Sequence, residues 1–240
     1  MTGTLHLIPV GLAETAPSSL WLPADAQALA ARLDTYIAEN AKTARAFLKH
    51  IGTQRPIQEI TIHTLGQRTT QGDIDAWLMP LRAGGEAGLV SEAGCPAVAD
   101  PGARVVAAAH RMGITVKPWV GPSSIILGLM ASGLEGQRFT FHGYPPVQEQ
   151  ERARQLKSWE SASAQLQQTQ VLIETPYRNL ALFDALLRHL RGDTRLCVAS
   201  ALTSPTEWIR TLTIAQWKQS DRPAIDRQPT LFLFQAAGRS

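Results

Sequence analysis

Strand-like runs alternate with helix-like stretches along most of this chain, and that alternation limits its possible folds more than any other feature. The first runs are Leu5–Ile8, Thr35–Ala38, Ile60–His63, Gly88–Ser91 and Ile114–Lys117. Between the second and third, Ala41, Ala44, Phe47, Leu48 and Ile51 recur at helical spacing. The pattern predicts an α/β fold with a mostly parallel sheet and helices on both faces. Lys117–Pro122 contains Pro118, Gly121 and Pro122 and interrupts the pattern, so it reads as a linker. Beyond it, strands are expected at Phe139–His142, Val171–Glu174, Leu196–Ala199, Trp208–Leu212 and Thr230–Phe234. Helices are expected over about 149–165 and 177–190. The chain reads as two α/β domains, residues 1–118 and 119–240, with an interdomain cleft of the kind that ligands prefer.

With 240 residues, 44% of them hydrophobic, both domains can bury a core. A net charge of +3 permits nucleic-acid contact without requiring it. Cys95 and Cys197 form neither a metal-ligand spacing nor a disulfide framework, so a reducing cytosol and no metal are expected. The first Lys or Arg is Arg32, so the basic region of a secretory signal is not expected. No apolar run approaches the roughly 20 residues that span a bilayer, so a cytoplasmic protein without a membrane partner is expected.

Three strand-to-helix junctions carry the candidate chemistry. The first is SEAGCPAVADPGARVVAAAH, Ser91–His110. Asp100 is a candidate cap and Pro101 fits the first helical position. Val105, Val106 and Ala109 should face the sheet, and Gly113 should stop the helix. Glu92-Ala93-Gly94 has little bulk after its glutamate, so a ligand can approach the backbone closely; an ordinary capped turn is the plain alternative. The spacing is not GxGxxG, which speaks against a dinucleotide-dependent oxidoreductase. At the second junction, Ser123 or Ser124 could cap a helix that Gly133 ends, or could bind a ligand carboxylate. At the third, Thr175 reads as a cap, Glu174 and Arg178 as an ion pair, and Tyr177 as a ring able to cover an adenine.

Six stretches occur in order: GTLHLIPVG (3–11), LVSEAGCPAVADPG (89–102), VGPSSII (120–126), FHGYPP (141–146), LIETPYR (172–178) and QPTLFLFQ (228–235). Together they resemble the tetrapyrrole methylase family of S-adenosylmethionine-dependent methyltransferases. Within it they are most similar to the branch that methylates ribose 2′-oxygens of 16S ribosomal RNA. The resemblance implies a cytoplasmic homodimer of two-domain α/β chains that holds S-adenosylmethionine in the interdomain cleft and serves rRNA processing. It places donor contacts on Pro9, Gly11, Glu92, Ala93, Gly94, Asp100, Ser123, Ser124, Tyr177, Pro229 and Thr230. Three departures stand out. Asn40 occupies a position where that branch carries an aspartate. The chain stops just after its last strand. Ala199–Thr203 lacks the branch's Arg-Glu.

The first functional reading is therefore methyl transfer to RNA, with ribosomal RNA as partner. The alternatives are transfer to a tetrapyrrole or other small molecule, and a non-catalytic donor-binding module. A hydroxyl acceptor would benefit from a base, for which Glu39 and Glu92 are candidates; the residues alone favour a capping or surface carboxylate for both. His142 reads as a packing residue rather than a base. Lys42, Arg45 and Lys49 form one helical stripe that suits phosphates or open solvent.

Overall fold

The computed structural model describes residues 2–13 and 16–238. It divides into two compact units, Met1–Ser123 and Ser124–Ser240.

The first unit runs β1 (Thr4–Leu7), α1 (Ala24–Arg32), β2 (Thr35–Ala38), α2 (Ala41–Ile51), β3 (Thr61–Thr64), α3 (Gln71–Arg82), β4 (Glu86–Val90), α4 (Ala103–Arg111) and β5 (Thr115–Pro118). Its sheet has the order β3-β2-β4-β1-β5, and every pair is parallel. Alternate residues of each strand feed opposite faces. Tyr36 and Val90 join Leu29, Phe47 and Leu48 beneath α1 and α2, whereas Ile37 and Leu89 join Ile74, Leu78 and Val105 beneath α3 and α4. In α2 the predicted stripe is buried at Ala44, Phe47, Leu48 and Ile51, while Lys42, Arg45 and Lys49 are exposed. Gly113 follows α4 at φ 69°, the left-handed conformation that ends a helix.

A polar network ties the last strand of this sheet to the first. Trp119 Nε1 donates to His6 Nδ1 at 3.2 Å, so that nitrogen carries the lone pair. His6 Nε2 must then carry the proton that is shared with Glu86 at 3.0 Å. Arg32 holds the same carboxylate through two donors, at 2.6 and 3.0 Å, and with His6 lowers its pKa to about 2. The Trp119 backbone N–H also reaches the Leu7 carbonyl at 3.0 Å. Residues 119–123 thus belong to the first unit, and the division falls at Ser123–Ser124 instead of Pro118–Trp119.

The second unit runs α5 (Ser124–Ser132), β6 (Phe139–Phe141), α6 (Glu149–Leu166), β7 (Thr169–Ile173), α7 (Asn179–His189), β8 (Arg195–Ser200), β9 (Trp208–Thr213), α8 (Ile214–Trp217) and β10 (Thr230–Gln235). Its sheet has the order β6-β7-β10-β8-β9, and only β6–β7 is parallel. The parallel arrangement expected of the first half, and found there, does not extend to this sheet for a topological reason. The crossover through α7 sets β8 parallel to β7 but leaves a gap between them, and β10 fills that gap in the opposite direction. β8 and β9 are joined by a short turn without a helix, which only antiparallel neighbours allow. All six residues of β10 are buried, as its central position requires.

Trp217 anchors this unit's core. It is 2% exposed, donates Nε1–H to the Leu196 carbonyl at 2.8 Å, and meets Phe183 edge-on with ring centres 5.4 Å apart. Trp217→Ala should destabilise the second unit by about 3–5 kcal/mol, read as a lower urea midpoint with the first unit's transition unchanged. Among the described residues, no helix is long and apolar enough to cross a membrane.

Candidate active site

In the first unit, the chain leaves β2 for a helix on one face of the sheet and leaves β4 for a helix on the other. Neighbouring loops that diverge in this way open a crevice at the carboxyl edge of a sheet. A cavity of about 860 Å³ lies there, lined among others by Glu39, Asn40, Thr64, Gln67, Glu92 and Arg104. Three loops supply these residues: β2–α2, β3–α3, and β4 with the first turn of α4. Glu39 and Glu92, far apart in sequence, meet because β2 and β4 are adjacent strands.

The β4–α4 loop forms one wall. Val10 and Gly94 exchange two backbone hydrogen bonds of 2.9 Å, clamping the loop after β1 to the loop after β4. Gly94 sits at φ 74°, a conformation open to glycine at little cost. Ala97 and Ala99 also adopt positive φ, at 66° and 62°, where a side chain costs about 1–2 kcal/mol each. Asp100 offsets that strain. Its carboxylate accepts from the Ala97 N–H at 2.9–3.0 Å and from the Gly102 N–H at 2.7 Å. Asp100 thus caps a free N–H at the helix start, as expected, although Gly102 and not Asp100 occupies the N-cap position of α4. Asp100 also folds the loop on itself, and burial pushes its pKa up despite these bonds.

Residues 119–123 complete the wall. A Cβ built on Gly121 would lie 2.2 Å from Pro9 Cβ, so only glycine lets the two segments touch. Cys95 Sγ lies 3.4 Å from the Pro122 carbonyl oxygen. Pro9, Gly11, Ala93, Gly94 and Ser123 are therefore carried by segments that pack together, next to the crevice.

The electrostatics of the crevice are acidic on one side. Burial, followed by the charges of Asp100 and Glu92, raises the pKa of Glu39, while a hydrogen bond from the Glu92 backbone N–H opposes the rise. Asn40 caps α2 by accepting from the Lys42 N–H at 2.9 Å, and its Nδ2 lies 3.5 Å from Glu92 Oε1. An aspartate at position 40 would make the same cap but set a further negative charge beside Glu92. Among the described residues, no ion pair neutralises Glu39, Glu92 or Asp100. Arg104 lines the same cavity and spends its Nη2 on the Thr69 carbonyl, at 2.7 Å. Arg104 lies within the Ser91–His110 junction, but the sequence pattern did not single it out as a site residue; the β3–α3 loop lies in no recognisable motif, and strand order brings that loop here.

The remaining predicted residues lie in the second unit. Tyr177 follows β7, and Pro229 and Thr230 lead into β10; the antiparallel register Ile173↔Leu231 brings these two places to one edge of the sheet. Buried Asn179 strengthens the link by donating to the carbonyls of Ile225 and Gln228, at 3.0 and 2.6 Å. Tyr177 is 72% exposed, with the Arg178 guanidinium 5.9 Å above its ring. Thr230 is buried and its hydroxyl is engaged by Ser200 and the Gln228 carbonyl, each at 3.0 Å. Ser124 begins α5. The expected Glu174–Arg178 ion pair is present at 2.7 Å. Thr175 is not the side-chain cap expected of it; its hydroxyl turns to Glu174 and Arg178 instead. His142 stacks on Trp159 with ring centres 4.1 Å apart and bonds Gln170 at 2.6 Å, the packing role predicted.

These features suit an adenosyl sulfonium. Gly121 lets the loop after β1 pack against residues 119–123, Gly94 adds little bulk to the wall they form, and the carboxylates without counter-ions favour a cation over a neutral product. Comparison with known proteins identifies the family. The family model for Tetrapyrrole (Corrin/Porphyrin) Methylases matches residues 5–217. A protein of Mesorhizobium japonicum named ribosomal RNA small subunit methyltransferase I is 30% identical over 184 residues, which are 77% of this chain and 60% of that one. The protein of the same name from Synechocystis is 34% identical over 185 residues, 76% of this chain and 63% of its own length. The Pseudomonas aeruginosa protein is 28% identical over 225 residues, 91% of this chain and 74% of its own. The chain thus spans about 60% of the length of the first of these relatives. Among solved structures, the methyltransferase CobJ superposes with a TM-score of 0.62 at 15% identity, covering 98% of this chain and 94% of that one, which speaks to the fold. This chain belongs to the tetrapyrrole methylase family, whose enzymes take their methyl group from S-adenosylmethionine.

Proposed function

We propose that this protein is an S-adenosylmethionine-dependent methyltransferase that acts on RNA, at a ribose hydroxyl of ribosomal RNA. The observation that carries this reading is the make-up of one crevice: Glu39 and Glu92 on one side, without counter-ions, and Arg104 on the other. Its relatives' name, ribosomal RNA small subunit methyltransferase I, supports the choice of acceptor. When bound, S-adenosylmethionine supplies a methyl group already activated on a sulfonium sulfur. The chain's residues need only align the acceptor and manage its proton. The Gly94 wall and the clamp to Val10 provide a fixed surface for that alignment, which can be worth up to about 7–11 kcal/mol in model reactions. Glu39 is the group to receive the hydroxyl proton, because a carboxylate with a raised pKa is a stronger base than an ordinary one.

The test is transfer of labelled methyl from S-adenosylmethionine to small-subunit ribosomal RNA taken from cells that lack this protein. Label should appear on a ribose, and acceptor binding should weaken steeply with salt. Salt-insensitive binding, or label confined to a small-molecule fraction, would overturn the RNA reading. Absence of transfer to any fraction would leave a donor-binding module.

A further inference from the structure

We infer that Arg104 seats a backbone phosphate of the acceptor, so that the crevice takes a nucleotide with its phosphate toward α4 and its ribose hydroxyl toward β2. This deepens the RNA-methyltransferase reading and rests on it. Arg104 and Glu39 line one cavity from different loops. The guanidinium is fixed by a single described hydrogen bond, and that bond goes to a carbonyl, Thr69 O, not to a carboxylate. Among the described residues, Arg104 forms no ion pair. It therefore lines the cavity with a full positive charge, and the N–H donors beyond the one on Thr69 have no protein partner among the described residues. That fork geometry matches a phosphate.

The cavity presents two kinds of group from different connections, the carboxylate of Glu39 after β2 and the guanidinium of Arg104 in the first turn of α4. A ligand that satisfies both sides carries an anion at one end and a proton-donating group at the other. An RNA nucleotide does so through its phosphate and its 2′-hydroxyl. A polycarboxylate without a hydroxyl would meet Arg104 but be repelled by Glu39 and Glu92.

The experiment compares the full chain with Arg104→Gln, which removes the charge but keeps a donor for Thr69, and with Arg104→Lys. Three quantities are read: binding of small-subunit ribosomal RNA across a salt series, KM for that RNA, and S-adenosylmethionine affinity by calorimetry. Arg104→Gln should reduce the salt slope of log K by about 0.7–0.9 and raise KM about tenfold. Arg104→Lys should keep the slope and recover part of the KM, and all three proteins should bind the donor equally. If the wild type binds RNA with a salt slope that Arg104→Gln leaves unchanged, the phosphate role is wrong and the RNA reading stands. If both variants lose donor and RNA affinity together, Arg104 only holds the β3–α3 loop and the inference falls. If wild-type binding is insensitive to salt, both readings fall.

Discussion

Gly94→Val should bind no S-adenosylmethionine detectable by calorimetry while both units remain folded. The residue has φ 74°, and its N–H and C=O both bond Val10 at 2.9 Å. Valine holds that conformation at a cost of about 1–2 kcal/mol, and more for its branched Cβ. A Cβ there would already lie 3.4 Å from Leu12 Cδ2 and 3.5 Å from the Pro122 carbonyl oxygen, so the added methyl groups must displace the wall. Either the side chain fills the donor's place or the backbone relaxes and breaks the clamp. Both outcomes remove the surface against which the donor is held. The strain should lower the melting temperature by only about 4–8 °C, with unchanged circular dichroism. A Gly94→Val protein with wild-type donor affinity would show that this loop is not the donor wall.

Glu39→Gln should lower kcat by about 10²–10⁴-fold and flatten the acid limb of the pH profile. In the wild type, burial and the like charges of Asp100 and Glu92 raise the Glu39 pKa above the ordinary carboxylate range. The base is the deprotonated form, so activity should climb as pH rises through that value and then level off. Glutamine cannot titrate, so the limb disappears. Glu92→Gln should keep the limb, because Glu39 still titrates. The same shift has a stability consequence of fixed sign. The folded pKa exceeds the unfolded one, so the stability present below the unfolded pKa is lost as pH rises through the folded pKa. Glu39→Gln should therefore melt above the wild type at neutral pH, and the gap should close as the pH falls below the ordinary glutamate value. A retained acid limb in Glu39→Gln would move the base elsewhere.

These effects divide according to how local their causes are. Strand positions could be read from the chain because they depend on short runs of apolar and β-branched residues. Thr35–Ala38 and Ala41–Ile51 emerge with the boundaries that the pattern predicts. The small-residue character of Glu92–Gly94 was also legible, because it is written in adjacent letters. The direction of β10 was not: nothing in Thr230–Gln235 says whether it will lie beside β7 or β9, or which way it will run. Asp100 looked like a helix cap because Pro101-Gly102 follows it. Its carboxylate does accept the Gly102 N–H, but it also turns back to the Ala97 N–H, a bond that only the fold of a loop with two alanines at positive φ creates.

The sequence by itself determined the α/β alternation, the junction loops and the family to which they belong. Tertiary structure decided which loops share a crevice. Glu39 and the β3–α3 loop meet Glu92 and Arg104 only because strand order sets β2 beside β4 and β3 beside β2. Strand order reflects the burial of every helix face at once, a property of the whole chain that no local window contains.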